Sequence, residues 1–96
     1  MSALRVWKGQ ECRALLSFVD EAGAPIAATG VTITARSPVS NVLLPLVPVQ
    51  LPGVGKFAAD FIGAEVGVWW VRGQCTGPAI AVDEASVTVF ASQVMA

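Results

Sequence analysis

Glu11-Cys12-Arg13-Ala14-Leu15-Leu16-Ser17-Phe18-Val19 sets Cys12, Ala14, Leu16 and Phe18 on one face of an extended chain, then stops at Asp20-Glu21-Ala22-Gly23-Ala24-Pro25. Two-residue alternation followed by a cluster of turn formers is the signature of a half-buried strand and its turn. The same pattern recurs along the chain. Gly30 to Arg36 places Val31, Ile33 and Ala35 opposite Thr32, Thr34 and Arg36, with β-branched residues on both faces. Phe57, Ala59 and Phe61 alternate with Lys56, Ala58 and Asp60, and Gly63 to Gly67 turns the chain into Val68-Trp69-Trp70-Val71-Arg72. After the turn at Thr76-Gly77-Pro78, Ala85, Val87 and Val89 alternate with Ser86 and Thr88. Val42 to Leu51 is apolar but broken by prolines, which places it at a sheet edge or in an extended loop. With a short strand at Leu4 to Trp7, about seven segments are separated by turn signals, and no stretch holds a 3.6-residue apolar spacing. The expectation is an all-β sandwich of about seven antiparallel strands in one domain over residues 1–96, with a strand-rich core of about 4–90 and a short tail at 91–96.

Composition narrows the function classes. The 96 residues are 54% hydrophobic and only 14% charged, with a net charge of -1, against a usual charged share of roughly 25%. No basic run marks a nucleic-acid footprint, so no nucleic-acid partner is expected. Histidine and tyrosine are absent, which removes the commonest general acid/base and zinc ligand, and an enzyme is not expected. A mean hydropathy of +0.65 would suit a membrane protein. The nineteen uncharged residues between Arg36 and Lys56, however, contain Pro38, Pro45, Pro48 and Pro52, each of which removes a backbone donor that lipid cannot replace. No membrane partner is expected, and the N-terminus lacks the pattern of a secretion signal. So small a domain cannot hide this many apolar side chains, and some of the surplus is expected to face a partner chain.

The stretches Phe18-Val19-Asp20-Glu21-Ala22-Gly23-Ala24-Pro25, Val31-Thr32-Ile33-Thr34-Ala35-Arg36-Ser37-Pro38, Gly55-Lys56-Phe57-Ala58-Ala59-Asp60-Phe61 and Gly67-Val68-Trp69-Trp70-Val71-Arg72 occur in a characteristic order. Together with the acids Asp83-Glu84 before the closing strand, they resemble small immunoglobulin-like modules encoded among the structural genes of tailed bacteriophages. The likeness covers roughly residues 11 to 90 and departs from the usual pattern in its proline-rich, uncharged middle. The resemblance implies an immunoglobulin-like sandwich made in the host cytoplasm and built into the virion. There it would be a capsid decoration or a head-tail neck component in contact with other virion proteins, in multiple symmetric copies. A host- or carbohydrate-binding module of a phage tail or bacterial surface protein is the alternative, although a chain with one Asn and no Tyr is poor in sugar-binding side chains.

Several residues carry specific expectations. Trp69 and Trp70 are neighbours in a strand and must point to opposite faces; Trp69, sharing its side with Val71 and Cys75, belongs inside, and Trp70 outside near Arg72. Exposed Trp and Arg are the types most enriched among binding hot spots. Trp70, Arg72, Trp7 and the apolar middle, Leu43, Leu44, Leu46 and Val47, are therefore the candidate partner-binding residues. The middle segment either folds over the domain's own core or packs on a neighbouring subunit. Cys12 opens its strand and Cys75 ends its own, and in the immunoglobulin topology that the resemblance implies these strands run parallel, which leaves the sulfurs on the order of 20 Å apart at roughly 3.3 Å per residue. No disulfide between Cys12 and Cys75 is expected, and two cysteines without histidine fall short of a metal site; no cofactor is implied. Asp20-Glu21 and Asp83-Glu84 suit turn acceptors better than a catalytic dyad.

Overall fold

The computed structural model describes residues 5–91. Eight strands follow one another: β1 (Arg5–Trp7), β2 (Glu11–Ser17), β3 (Thr32–Arg36), β4 (Leu43–Leu46), β5 (Val49–Gln50), β6 (Lys56–Ile62), β7 (Gly67–Cys75) and β8 (Ala81–Phe90). They form a five-stranded sheet in the order β1-β8-β7-β3-β4 and a three-stranded sheet in the order β2-β6-β5. The described residues are all-β, as the alternation requires, and the two sheets close on one core.

That core is built from the faces the alternation selects. Cys12, Ala14 and Leu16 of β2 pair with Phe61, Ala59 and Phe57 of β6, and all six are buried. Across from them lie Ile33 and Ala35 of β3, Trp69, Val71 and Cys75 of β7, and Val87 and Val89 of β8. Trp69 is 2% exposed; its ring packs against Phe61 at 5.1 Å, and its Nε1–H donates to the Glu65 carbonyl at 2.9 Å, which satisfies the one polar atom that burial would otherwise penalise. Phe18 and Phe57 meet edge to face at 5.7 Å.

Four features depart from the sequence reading. First, β1 runs parallel to β8, pairing Val6 with Val89, so the sheets are not wholly antiparallel; Val6, 1% exposed, holds β1 there by capping the core. Leu4, assigned to that strand, and residues 92–96 of the tail lie outside the described residues. Second, the count is eight because the apolar middle is divided between the sheets. β4 pairs with β3, the chain crosses at Val47 and Pro48, and β5 pairs with β6. Third, Ala58 faces outward yet is fully buried, because Leu15 and Val49 flank it on the adjacent strands and cover its single methyl. Fourth, β8 begins at Ala81, so Asp83 and Glu84 lie within a strand. Asp83 stands opposite Gly73, and its carboxylate reaches the other sheet to accept the Ser17 N–H at 2.8 Å.

Cys12 and Cys75 are free and buried, in opposite sheets. Burial pushes the Cys12 thiol above its ordinary value. No helix of the described residues is long and apolar enough to cross a membrane.

Candidate docking face

The outer face of the five-stranded sheet collects the exposed large side chains. On β7, alternation that buries Trp69 and Val71 turns Val68, Trp70, Arg72 and Gln74 outward, and Trp70 is 54% exposed. Register sets its neighbours: Arg36 of β3 on one side and Ser86 of β8 on the other, with Leu43 of β4 beyond Arg36. The next row holds Val68 and Thr88. At the far edge Trp7 of β1 stands beside Phe90 of β8, with ring centroids 6.2 Å apart.

This face is chemically divided. Toward the end where β7 begins, Leu43, Trp70, Val68, Phe90 and Trp7 are all exposed apolar side chains. Toward the other end lie Thr34, Arg72, Glu84 and Gln74, with the exposed Val82 beside Gln74. Arg72 approaches Glu84 at 3.7 Å with both side chains more than half exposed, so the pair contributes little to stability. Arg36 has no ion-pair partner among the described residues and borders the apolar end.

Beside Trp70 the turn that joins β3 to β4 forms the wall of a groove of about 410 Å³ lined by Arg36, Ser37, Pro38, Asn41, Val68 and Trp70. The wall is held by hydrogen bonds. Ser37 Oγ accepts the Val42 N–H at 2.9 Å, and Asn41 adopts φ 56°, a left-handed conformation that asparagine tolerates better than most residues. The Glu65 carboxylate, from the corner before β7, accepts the N–H groups of Val39 and Ser40 at 3.0 and 3.1 Å and the Ser40 hydroxyl at 2.6 Å. These bonds, the Ser40 hydroxyl foremost, hold the Glu65 carboxyl below its usual range.

The seven candidate residues divide accordingly. Trp7, Leu43, Trp70 and Arg72 share this face. Leu44 and Leu46 pair with Ala35 and Ile33 and so point to the inner side of β4, where Leu46 packs against the core. Val47, 79% exposed, lies at the crossing between sheets. The apolar middle is therefore divided, with Leu44 and Leu46 turned to the inner side and Leu43 and Val47 exposed. Phe90 and Arg36 belong to the face and were not among the candidates; Phe90 was within reach, since Val87 and Val89 pointing inward forces it outward.

The acidic pairs act as acceptors for backbone donors or as surface partners. Asp20 Oδ1 takes the N–H groups of Ala22 and Ala24, both at 2.9 Å, and Asp60 is held by Arg13 at 2.8 Å on the outer face of the smaller sheet. Among the described residues, no three His, Cys, Asp or Glu side chains converge. The sequence matches no family model, and no curated protein is significantly similar to it.

Proposed function

We propose that this chain is a non-enzymatic adhesion module, an immunoglobulin-like domain that docks through the outer face of its five-stranded sheet onto a larger protein assembly. The observation that carries the reading is the row of Trp7, Phe90, Val68, Trp70 and Leu43, exposed together on one face of a domain whose core is complete without them. Exposed aromatic side chains gathered on one face mark interaction sites in soluble domains. The strand order supports the immunoglobulin-like assignment: three strands in one sheet, and in the other a central trio with an added edge strand after the third, as in variable-type domains. Cys12 and Cys75 lie on the two strands that a disulfide joins in antibody domains, but at opposite ends of them.

The setting follows from the resemblance of the strand-and-turn pattern to phage structural modules. We place the chain in the virion, on the capsid surface or in the neck, where repeated weak contacts of symmetric copies sum to firm attachment. Purified domain mixed with undecorated heads and with tail-less necks tests this. Binding is expected to one of them, and Trp70→Ala is expected to weaken it roughly 30-fold, the effect of losing a hot spot of about 2 kcal/mol, while the monomer stays folded. Undiminished occupancy by a Trp70→Ala, Trp7→Ala double variant would remove this face from the account.

The groove beside Trp70 favours one second reading. An indole flanked by Arg36 and Asn41 is a fitting floor for a sugar ring, and glycan binding by the isolated domain without any affinity for particles would establish it.

A further inference from the structure

The four strands that end the sheets are not protected alike. In the five-stranded sheet β1 has only three residues, and β4 carries Pro45. The Ser37 N–H to Val42 carbonyl bond of 3.1 Å fixes the alternation of β4, so that Leu44 and Leu46 turn their backbone groups to β3 and Leu43 and Pro45 turn theirs outward. Pro45 thus deletes a donor at an open position. In the smaller sheet β5 has two residues between Pro48 and Pro52. Short strands and prolines are how sheet edges are kept from pairing.

β2 has neither device. It is seven residues long without proline or lysine. Hydrogen bonds at both its ends, Phe18 N–H to the Gly55 carbonyl at 2.9 Å and Gly63 N–H to the Gln10 carbonyl at 3.0 Å, show that its even-numbered residues bond toward β6. Glu11, Arg13, Leu15 and Ser17 therefore direct their backbone groups to the open side. The Ser17 N–H is occupied by Asp83; Glu11, Arg13 and Leu15 have no strand beside them on that side among the described residues.

We propose that this edge pairs with the β2 strand of a second copy of the chain, antiparallel and two-fold symmetric, with Glu11 opposite Arg13 of the second copy. Charge selects both the occupant and the register. Centring the pair on Arg13 would set two guanidinium groups against each other, and centring it on Ala14 would set Arg13 against Leu15 and Glu11 against Ser17, which gives Glu11 no cation opposite it and idles the Ser17 N–H that Asp83 holds. Centring it on Cys12 places Glu11 beside Arg13 twice over and forms four backbone hydrogen bonds. Arg13 is already aimed, its Nε and Nη2 bound to the two Asp60 oxygens at 2.8 and 3.0 Å, and the rest of its five N–H groups are left for a second carboxylate. Glu11 has no ion-pair partner in its own chain among the described residues. The result is a charge row of Asp60, Arg13 and the second copy's Glu11, in a six-stranded sheet spanning both molecules.

Sedimentation equilibrium tests this. The wild-type chain is expected to move from the 9.9 kDa monomer toward twice that mass as concentration rises. Glu11→Arg and Arg13→Glu, each of which sets like charges opposite each other, are expected to weaken self-association roughly tenfold apiece, the effect of about 1.4 kcal/mol. An equimolar mixture of the two variants restores both attractive pairs and is expected to associate as the wild type does. Register has its own readout. Cys12 faces Cys12 across a non-hydrogen-bonded pair, with Cα atoms about 4.5 Å apart, within the reach of a disulfide. Diamide, which takes up the two thiol hydrogens as the S–S bond forms, is expected to cross-link Cys75→Ser and not Cys12→Ser. A monomer at every concentration, a mixture that fails to associate, or a cross-link that runs through Cys75 would each overturn the proposal.

Discussion

Gly55 is the point where three segments are pinned together, and replacing it with alanine is the sharpest test of how the sandwich is held. Its carbonyl accepts the Phe18 N–H at 2.9 Å, and the Phe18 carbonyl in turn accepts the Ile26 N–H at 3.0 Å. The end of β2, the loop after it and the turn before β6 therefore meet at one residue. A Cβ there would lie 2.6 Å from the carbonyl oxygens of both Phe18 and Ile26, and φ is +74°. Two costs follow. An alanine in the left-handed region costs about 1–2 kcal/mol, less the roughly 0.4–1 kcal/mol gained by restricting the unfolded chain. The clash is with backbone rather than with the tip of a flexible side chain, so it is relieved only by moving a strand end, at about 1–3 kcal/mol.

Gly55→Ala is thus expected to lose about 2–4 kcal/mol, a large share of the roughly 5–14 kcal/mol available to a domain of this size. Gly9→Ala provides the control. Its φ is +89°, but a Cβ there has nothing within 4 Å, so only the conformational cost applies, about 1 kcal/mol or less. Urea unfolding followed by circular dichroism reads both, and at about 4–8 °C per kcal/mol the melting temperatures should fall by roughly 8–32 °C and by less than about 8 °C respectively. Equal losses in the two variants would show that the junction at Gly55 is not packed as described and would refute the reasoning.

Three further outcomes are expected. The Glu65 carboxyl is depressed below its ordinary value of 4.5 by its bonds to Ser40 and Val39, so its contribution to stability is present above pH 4.5 and is lost as pH falls through the lower, folded value; the Val39 and Ser40 amide resonances should titrate with that midpoint, and Glu65→Gln should abolish the transition. Asp83→Ala removes the acceptor from the Ser17 N–H and should cost about 1 kcal/mol, with faster hydrogen exchange at Ser17 as the local readout. Pro45→Val returns a donor to the open side of β4 and should leave the unfolding free energy within about 0.5 kcal/mol while raising light scattering at high concentration, because the edge can then pair.

How much of this was legible in the sequence depends on the range of the interaction. Strands with one buried face announce themselves, because a one-residue slip would expose the whole apolar set; β2, β3 and β7 are of this kind, and the same logic turned Trp69 inward and Trp70 outward. Where both faces are apolar the signal fades. Leu43 to Val49 has no alternation, so neither its division between the sheets nor the opposite directions of Leu43 and Leu44 could be read. Long-range acceptors leave no local trace at all: Asp83 serves Ser17 from 66 residues away and Glu65 serves Ser40 from 25, and in the sequence each is only an acid near a strand.

The two outer faces of the sandwich nonetheless differ in their aromatic content. On the smaller sheet the ionic row of Arg13 and Asp60 lies between exposed Ile62, beside Glu11, and an aliphatic row of Leu15, the buried methyl of Ala58, and Val49. On the larger sheet the exposed apolar side chains of one half are Trp7, Phe90, Val68, Trp70 and Leu43, and Arg36, without an ion-pair partner among the described residues, stands at the border. Exposed aliphatic side chains, among them Leu15, Ile62, Val47, Ile80 and Val82, are scattered over both sheets and the connections, as a surplus forced on the chain by size alone would be. The aromatic side chains are not scattered: Trp7, Phe90 and Trp70, the exposed ones, gather on one half of one face, opposite a core that closes without them, and it is this half that the proposed partner would cover.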